Sequence, residues 1–204
     1  MTPDLVHGAW RRRSVSIDGS APFESQHVVW IQAGTCYADL RIPFTPGAAE
    51  RCFSGRSGWD GDGYAYRWRH RLDLESSAGE PSAAAEDVGE LSWEDGALVE
   101  RGLFPTPTGL VGYEEIWERL PGSDGPFVAL EAPNTCLVRS GRHALTVIDG
   151  RPNGQPFSAC YHVFADGRWQ STAFLGDGGG LPEPDNPPAE WTVVHRGTAE
   201  AVPA

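Results

Sequence analysis

Hydrophobic and polar residues alternate one by one through many short runs of this chain, and turn-forming residues separate the runs. Residues 63–74 show the pattern most clearly, reading Gly-Tyr-Ala-Tyr-Arg-Trp-Arg-His-Arg-Leu-Asp-Leu. Successive side chains of a β-strand point to opposite faces, so this stretch predicts a strand with one charged and one mainly aromatic face. The charged face carries Arg67, Arg69, Arg71 and Asp73. The aromatic face carries Tyr64, Tyr66, Trp68, His70, Leu72 and Leu74.

Turn signals recur along the chain at the spacing of β-hairpins. Asp18-Gly19, Ala33-Gly34, Asp95-Gly96 and Asp166-Gly167 each separate two strand-like runs, and such dipeptides are typical of tight hairpin turns. Residues 112–120 contain good helix formers, but the hairpins around them favour a strand. About a dozen short strands, with no convincing long helix, predict an all-β barrel or sandwich.

The segment 35–43 shows a choice that the alternation leaves open. Tyr37, Asp39 and Arg41 share one face of the predicted strand, and aliphatic residues share the other. If the aliphatic face packs on the core, Asp39 and Arg41 pair in solvent. The opposite orientation places a carboxylate and a guanidinium in a pocket.

Two further strands carry charged residues whose orientation matters. In the strand predicted over 112–120, Tyr113, Glu115, Trp117 and Arg119 share a face. In the first strand, the three consecutive arginines at 11–13 alternate between the two faces. A solvated strand surface is therefore favoured over a phosphate-binding patch.

Composition bounds the class of protein. With 204 residues, 40% of them hydrophobic and 22% charged, the chain is predicted to be globular. We interpret residues 1–204 as one barrel domain, with 1–105 and 112–197 as candidate pseudo-repeat halves or half-barrels.

The net charge of −12 argues against nucleic acid and anionic membranes as partners. No apolar run is long enough to span a bilayer, and we expect a cytoplasmic protein. All 16 basic residues are arginine, which suggests a GC-rich bacterial source.

Metal-binding and catalytic signatures are not evident in the sequence. The cysteines lie far apart, at Cys36, Cys52, Cys136 and Cys160, without a Cys-x-x-Cys pair. The histidines are scattered singly, and neither a nucleophile elbow nor a phosphate-binding loop is found. We therefore predict no metal and no cofactor, and read the cysteines as small buried hydrophobes.

Two segments resemble the Hri1 protein family. One is residues 30–43 with the core Asp39-Leu40-Arg41, and the other is Tyr113-Glu-Glu-Ile-Trp117 after an Asp-Gly-rich hairpin. The order of parts between them is also similar, and the likeness covers roughly residues 25–120. The resemblance implies a lipocalin-like antiparallel β-barrel, and it supplies no mechanism because the activity of that family is largely unassigned.

A separate resemblance is found near the start of the chain. Gly8-Ala9-Trp10 resembles the Gly-x-Trp opening of lipocalins and other calycins. In those proteins the tryptophan packs beneath an arginine near the chain end. The resemblance implies that Arg196 takes that place here.

Ionisable residues interleaved with aromatic residues form the candidate site. If their strand faces converge inside the barrel, they make a pocket with apolar walls and a few polar anchors, as small-molecule sites usually have. His70 and Glu115 are the candidates for proton transfer, and Asp39 for orientation. Arg41 or Arg119 is assigned to stabilise an anion. Further ligand contacts are assigned to Tyr66, Trp68, Tyr113 and Trp117.

The resulting hypothesis is a barrel that binds a small apolar or aromatic organic molecule. If it is an enzyme, cofactor-independent acid/base chemistry of the isomerase, cyclase, hydratase or lyase type is expected. The alternatives are a non-catalytic carrier or sensor and a protein-interaction module with a filled barrel. In the last case the charged pairs lie on the wet exterior, and His70 is a hydrogen-bonded interior histidine. The sequence does not determine the oligomeric state.

Overall fold

A computed structural model describes residues 6–76, 86–176 and 184–199. These residues form two layers of antiparallel strands, a closed barrel and an open sheet. Within the described ranges, no helix has the length and apolar character needed to cross a membrane. The barrel strands are β1 (Gly8–Ile17), β2 (Gln26–Ala33), β3 (Cys36–Pro43), β4 (Arg51–Trp59), β5 (Tyr66–Asp73), β6 (Glu86–Glu94), β7 (Ala97–Thr106) and β8 (Gly109–Arg119).

The barrel is built from hairpins, because each strand pairs with its neighbour in sequence. It closes where β1 meets β8, with Trp10 opposite Arg119 and Ile17 opposite Tyr113. The predicted lipocalin-like antiparallel barrel is confirmed. The strand predicted over residues 112–120 is also confirmed, since it lies within β8.

The second layer is a six-stranded sheet in the order β13-β12-β11-β10-β9-β14. Strands β13 and β14 lie at opposite edges of this sheet. Asp185, which precedes β14, accepts a hydrogen bond of 2.7 Å from Trp169 Nε1 and also pairs with Arg139. The barrel closes within the first eight strands. The interpretation of the chain as one barrel domain with pseudo-repeat halves at 1–105 and 112–197 stays a prediction. The sheet strands are β9 (Gly125–Ala132), β10 (Thr135–Ser140), β11 (His143–Asp149), β12 (Phe157–Ala165), β13 (Arg168–Leu175) and β14 (Thr192–Ala199).

Two hydrophobic cores follow from the alternation of the barrel strands. Outward-facing aliphatic residues such as Ile31 and Leu40 pack against residues of the sheet such as Val138 and Leu145. The inward-facing residues form a second, mainly aromatic core. Strands β2 and β3 are therefore buried on both faces. The aromatic core contains Val6, Trp10, Val28, Trp30, Tyr37, Phe53, Tyr66, Trp68, Leu91, Leu98 and Trp117.

A β-bulge in β5 changes which side chains face the barrel interior. His70 lies opposite Gly55 and Leu72 lies opposite Ser54, which leaves Arg71 as the extra residue. Leu72 consequently packs in the core between the layers. The prediction that His70 and Leu72 share one face was wrong, because an inserted residue shifts the two-residue period.

A second bulge lies in β1, where Arg12 pairs with Trp117 and Ser14 pairs with Ile116. Arg12 points into the barrel and is 6% exposed. The prediction of a solvated surface for all three arginines was therefore wrong at Arg12. The residues on either side of it, at positions 11 and 13, are exposed or half-exposed.

Candidate functional site

One end of the barrel contains a cavity of about 480 Å³. Its mouth is apolar because β1, β6, β7 and the segment before β2 contribute hydrophobic side chains. Its floor is charged and is supplied by β1, β3, β6, β7 and β8. The apolar wall consists of Val15, Ile17, Phe23, Val88, Leu103, Phe104 and Pro105. The polar lining consists of Arg12, Ser25, Gln26, Arg41, Arg51, Glu86, Asp87, Glu100, Tyr113 and Glu115.

Arg12 connects two acidic side chains at the cavity floor. It donates to Glu115 at 2.5 Å and to the two carboxylate oxygens of Glu24 at 2.8 and 3.1 Å. A longer hydrogen bond of 3.3 Å reaches Gln26 Oε1. Burial alone would lower the pKa of Arg12, but its hydrogen bond to Glu24 and the charge of Glu115 raise it. The Arg12 side chain is therefore a buried, fully charged group.

Arg41 forms the second cationic centre of the floor. Its Nε donates to Asp39 Oδ1 at 2.9 Å, and its NH1 lies 3.6 Å from Glu115 Oε1. The guanidinium carbon is 5.3 Å from the ring centroid of Phe53, within the range of a cation–π contact. Glu115 consequently lies between two arginines, Arg12 and Arg41.

Glu100 is a carboxyl group with an unusual environment. It accepts hydrogen bonds from Tyr113 Oη at 2.8 Å and from Trp117 Nε1 at 3.2 Å. Its cross-strand partner is Glu115, and directly opposed side chains on neighbouring strands are close. Burial, and then the charge of Glu115, raise the pKa of Glu100 to about 8. At neutral pH the floor therefore contains a protonated carboxyl beside a carboxylate.

Two glycines make room for the Glu100 side chain and its partner. A Cβ atom at Gly102 would lie 2.5 Å from Tyr113 Oη, so the tyrosine ring crosses the backbone of β7 at this point. A Cβ atom at Gly89 would lie 2.9 Å from Glu100 Cγ. Larger side chains at these two positions would displace the Tyr113–Glu100 pair from the floor.

His70 lies behind the cavity wall. Its Nδ1 is 2.9 Å from Asp73 Oδ2, and its Nε2 is 3.4 Å from Asp87 Oδ2. The imidazole stacks on Phe53 with ring centroids 4.3 Å apart. Burial alone would lower the pKa of His70, but the two carboxylates raise it to about 9. His70 is thus a cation at neutral pH and holds Asp87 at the cavity wall.

A small void of about 20 Å³ lies beneath the cavity. Arg41, Asp87 and Glu100 border both spaces. The hydroxyl of Tyr37 is fully buried and has no hydrogen-bond partner among the residues that the structure describes. A void of this size holds about one water molecule. Its lining consists of Trp30, Tyr37, Asp39, Arg41, Phe53, Trp68, Asp87, Glu100 and Trp117.

Four of the residues selected from the sequence, Asp39, Arg41, Tyr113 and Glu115, meet around the floor and the void. Their roles stay predictions. The orientation of β3 resolves the open choice, since its charged face points into the barrel while its aliphatic face packs on the sheet.

The other selected residues lie deeper or elsewhere. Trp68 and Trp117 line the void, whereas Tyr66 lies in the aromatic core and donates to Ser57 Oγ at 3.0 Å. Arg119 is not in the cavity lining. Its guanidinium carbon lies 5.9 Å from the Trp10 ring centroid, in the place that the resemblance to calycins gave to Arg196.

Sequence reasoning missed four residues of this cluster, namely Arg12, Glu24, Asp87 and Glu100. Glu100 was detectable as a lone carboxyl in the apolar run Ala-Leu-Val-Glu. Arg12 was also detectable, because it lies two residues after Trp10 and shares a strand face with that aromatic residue before the bulge in β1 begins. Within the described part of the chain, no group of three or more His, Cys, Asp or Glu residues is arranged to hold a metal ion.

These features define a closed antiparallel barrel with a partly polar cavity at one end. No protein-family model and no curated protein match the chain. The chain is similar in structure to the uncharacterized protein YLR301w from Saccharomyces cerevisiae, with a TM-score of 0.72 and 15% identity. The similarity covers 94% of this chain and 99% of the yeast chain. At this level of identity the likeness shows a shared fold.

Proposed function

We propose that this protein binds a small organic molecule with an apolar or aromatic body in the cavity at the end of the barrel. The observation that carries the proposal is the 480 Å³ cavity itself, since ligand sites commonly occupy about 300–1,000 Å³. Apolar mouth residues and a charged floor match the general composition of such sites. A cavity of this size also argues against the alternative of a fully filled barrel.

The apolar mouth makes a matched test of binding possible. Leu103 lines the cavity and is 63% exposed, while Leu110 on the same hairpin is 68% exposed and lies outside the lining. We expect the neutral fluorescent probe N-phenylnaphthylamine to bind the protein. Leu103→Glu is expected to weaken binding about tenfold, because it places a charge against the apolar part of the probe.

The control variant for this test is Leu110→Glu, which adds the same charge outside the cavity and is expected to leave probe affinity unchanged. Both positions are exposed, so both variants should fold. Equal weakening by the two substitutions, or the absence of probe binding to the unmodified protein, would refute binding in this cavity.

A second candidate function is proton-transfer catalysis without a cofactor. The observation that favours it is the pair formed by Glu100 and Glu115, which lie opposite each other on β7 and β8. A carboxyl group with a raised pKa beside a carboxylate is an arrangement suited to general acid/base work. The ion pairs of Glu115 with Arg12 and Arg41 also provide positive charge near a developing anion.

The catalytic proposal can be tested with a simple carbon acid. Proton exchange at the carbons beside the carbonyl of benzylacetone in D₂O would be followed by NMR. We expect the protein to accelerate exchange, and Glu115→Gln to reduce the acceleration about a hundredfold, as expected for loss of a general base. A non-catalytic carrier would bind benzylacetone without accelerating exchange.

We also propose that the chain is a cytoplasmic, bacterial relative of the Hri1 family. Support comes from the two resembling segments, because they form β3 and β8, whose inward residues Asp39, Arg41 and Glu115 build the floor. A sequence profile built from Hri1 proteins should align these three positions. Cell fractionation would test the compartment, and recovery in the membrane fraction would contradict it.

A further inference from the structure

We propose that the ligand is a primary amine, whose ammonium group occupies the void beneath the cavity while its apolar body fills the cavity above. The inference rests on the proposed binding function and specifies the polar end of the molecule. It depends on the size of the void, the acceptors around it, and the balance of charge at the floor.

The void and the cavity adjoin each other. They share Arg41, Asp87 and Glu100 in their linings, so the void lies directly below the cavity floor. At about 20 Å³ the void matches a group about as large as a water molecule. An ammonium group is of this size, whereas a carboxylate, sulfonate or phosphate group is larger.

Three oxygen-bearing side chains around the void suit the three N–H donors of an ammonium group. Tyr37 is fully buried, and its hydroxyl lacks a partner in the described parts of the chain. Glu100 and Asp87 contribute carboxyl groups to the same lining. A buried hydroxyl without a partner costs free energy, so a donor that reaches Tyr37 removes that cost.

Aromatic side chains form the other walls of the void. Trp30 packs edge-on against Trp68 and Trp117, with ring centroids 5.7 and 5.5 Å apart. All three indoles border the void. The faces of aromatic rings attract cations and are the usual walls of ammonium-binding cages.

The charges around the void favour a cation over an anion. Arg41 is paired with Asp39 at 2.9 Å, and His70 lies between two carboxylates, one of which is Asp87. These pairs offset the positive charges near the void. Of the carboxyl groups that line the void, Glu100 is the one that no cationic side chain of the described residues contacts, since its hydrogen bonds come from Tyr113 and an indole.

Binding of an amine should also move a proton. Glu100 is faced by Tyr113 and Glu115 on β8, by Arg41 on β3 and by Asp87 on β6. Burial and then the nearby carboxylates favour its protonated form, and an ammonium group beside it would favour its charged form. We therefore expect amine binding to release up to one proton per protein molecule from Glu100.

Three probes that share a phenyl body test the proposal by calorimetry at pH 7. They are phenethylamine, phenethyl alcohol and hydrocinnamate, which end in an ammonium, a hydroxyl and a carboxylate. We expect the amine to bind at least about tenfold more tightly than the other two. Repeating the titration in buffers of different ionisation enthalpy measures the released protons.

Two glutamate variants distinguish the effect of a carboxyl group at the cavity floor from that of one on the barrel exterior. Glu100→Gln keeps a neutral side chain of the same shape, so it should fold. It is expected to weaken amine binding about tenfold, abolish proton release and leave alcohol binding unchanged. Glu114→Gln is the control, because this neighbour on β8 pairs with Arg101 on the barrel exterior. It should change neither quantity.

The outcomes distinguish this inference from the proposed function. If N-phenylnaphthylamine binds but the alcohol or carboxylate matches the amine, or if none of the three phenyl probes binds, the amine assignment is wrong and the cavity proposal stands. Tight amine binding that Glu100→Gln does not weaken also overturns the assignment. Failure of all four probes to bind refutes both proposals.

Discussion

Replacing Arg12 by methionine is the most direct test of the buried charge cluster. The arginine side chain is 5% exposed, and its partners Glu115 and Glu24 are 7% and 15% exposed. Methionine fills a similar volume and removes every charged hydrogen bond of the arginine. Two carboxylates then lose their shared partner at the floor of the cavity.

The expected loss of stability is large for a single substitution. Breaking a buried ion pair by removing one partner costs about 3–5 kcal/mol, since the remaining charge stays buried. For a chain of this size, that corresponds to a fall in Tm of about 6–20 °C. The double variant Arg12→Met with Glu115→Gln should recover part of the loss, because it removes one of the two stranded carboxylates.

The stability of Arg12→Met should also depend on pH in a defined way. Although burial alone would raise it, the hydrogen bond and charge of Arg12 hold the pKa of Glu24 below its usual range. A carboxyl with a lowered pKa stabilises the fold above its unfolded-state pKa, and the contribution disappears as pH falls through the folded-state pKa. The deficit of the variant should therefore be largest above about pH 4.5, the ordinary pKa of a glutamate, and shrink as pH falls below it.

Urea unfolding monitored by tryptophan fluorescence would measure these effects. Arg13→Met is the matched control, because Arg13 is 55% exposed and lies 3.8 Å from its partner Glu118. We expect this control to change stability by less than about 0.5 kcal/mol. If Arg12→Met and Arg13→Met have equal effects, the buried position of Arg12 is wrong.

Three other predictions concern the interior groups and the bulge in β5. The folded protein should lose stability between about pH 4.5 and pH 8, because the raised pKa of Glu100 makes the folded state hold a proton that the unfolded state releases. Glu100→Gln should flatten this decline in unfolding experiments, and an unchanged slope would contradict the raised pKa. The stabilisation from His70 should be complete below about pH 6.5 and lost as pH rises through about 9. An NMR titration of its ring that gives a pKa below 7 would show that the imidazole is not held as a cation. Gly55→Ala should destabilise the protein by about 1–3 kcal/mol, because a Cβ atom there would lie 2.0 Å from the carbonyl oxygen of Arg69. Gly58→Ala on the same strand meets no atom within 4 Å and should be nearly neutral in a thermal melt.

The alternation of residues was enough to predict which side chains share a strand face where the strands are regular. In β3 and β8 it grouped Asp39 with Arg41, and Tyr113 with Glu115, as the structure has them. It did not show that Glu115 pairs with Arg12 across the β1–β8 seam. Such pairs join residues about a hundred positions apart, and a one-dimensional pattern contains no information about which distant strands become neighbours.

The sequence by itself determined the strand class, the hairpin order and, in most strands, which residues share a face, because these depend on local turn chemistry and a two-residue period. The tertiary structure alone decided the rest. The bulge in β1 turned Val15 and Ile17 inwards on the same side as Arg12, and the bulge in β5 turned Leu72 outwards. Packing of the sheet on the barrel buried both faces of β3, so the polar face became a cavity floor. These outcomes depend on register and on contacts between layers, which arise only when distant segments meet.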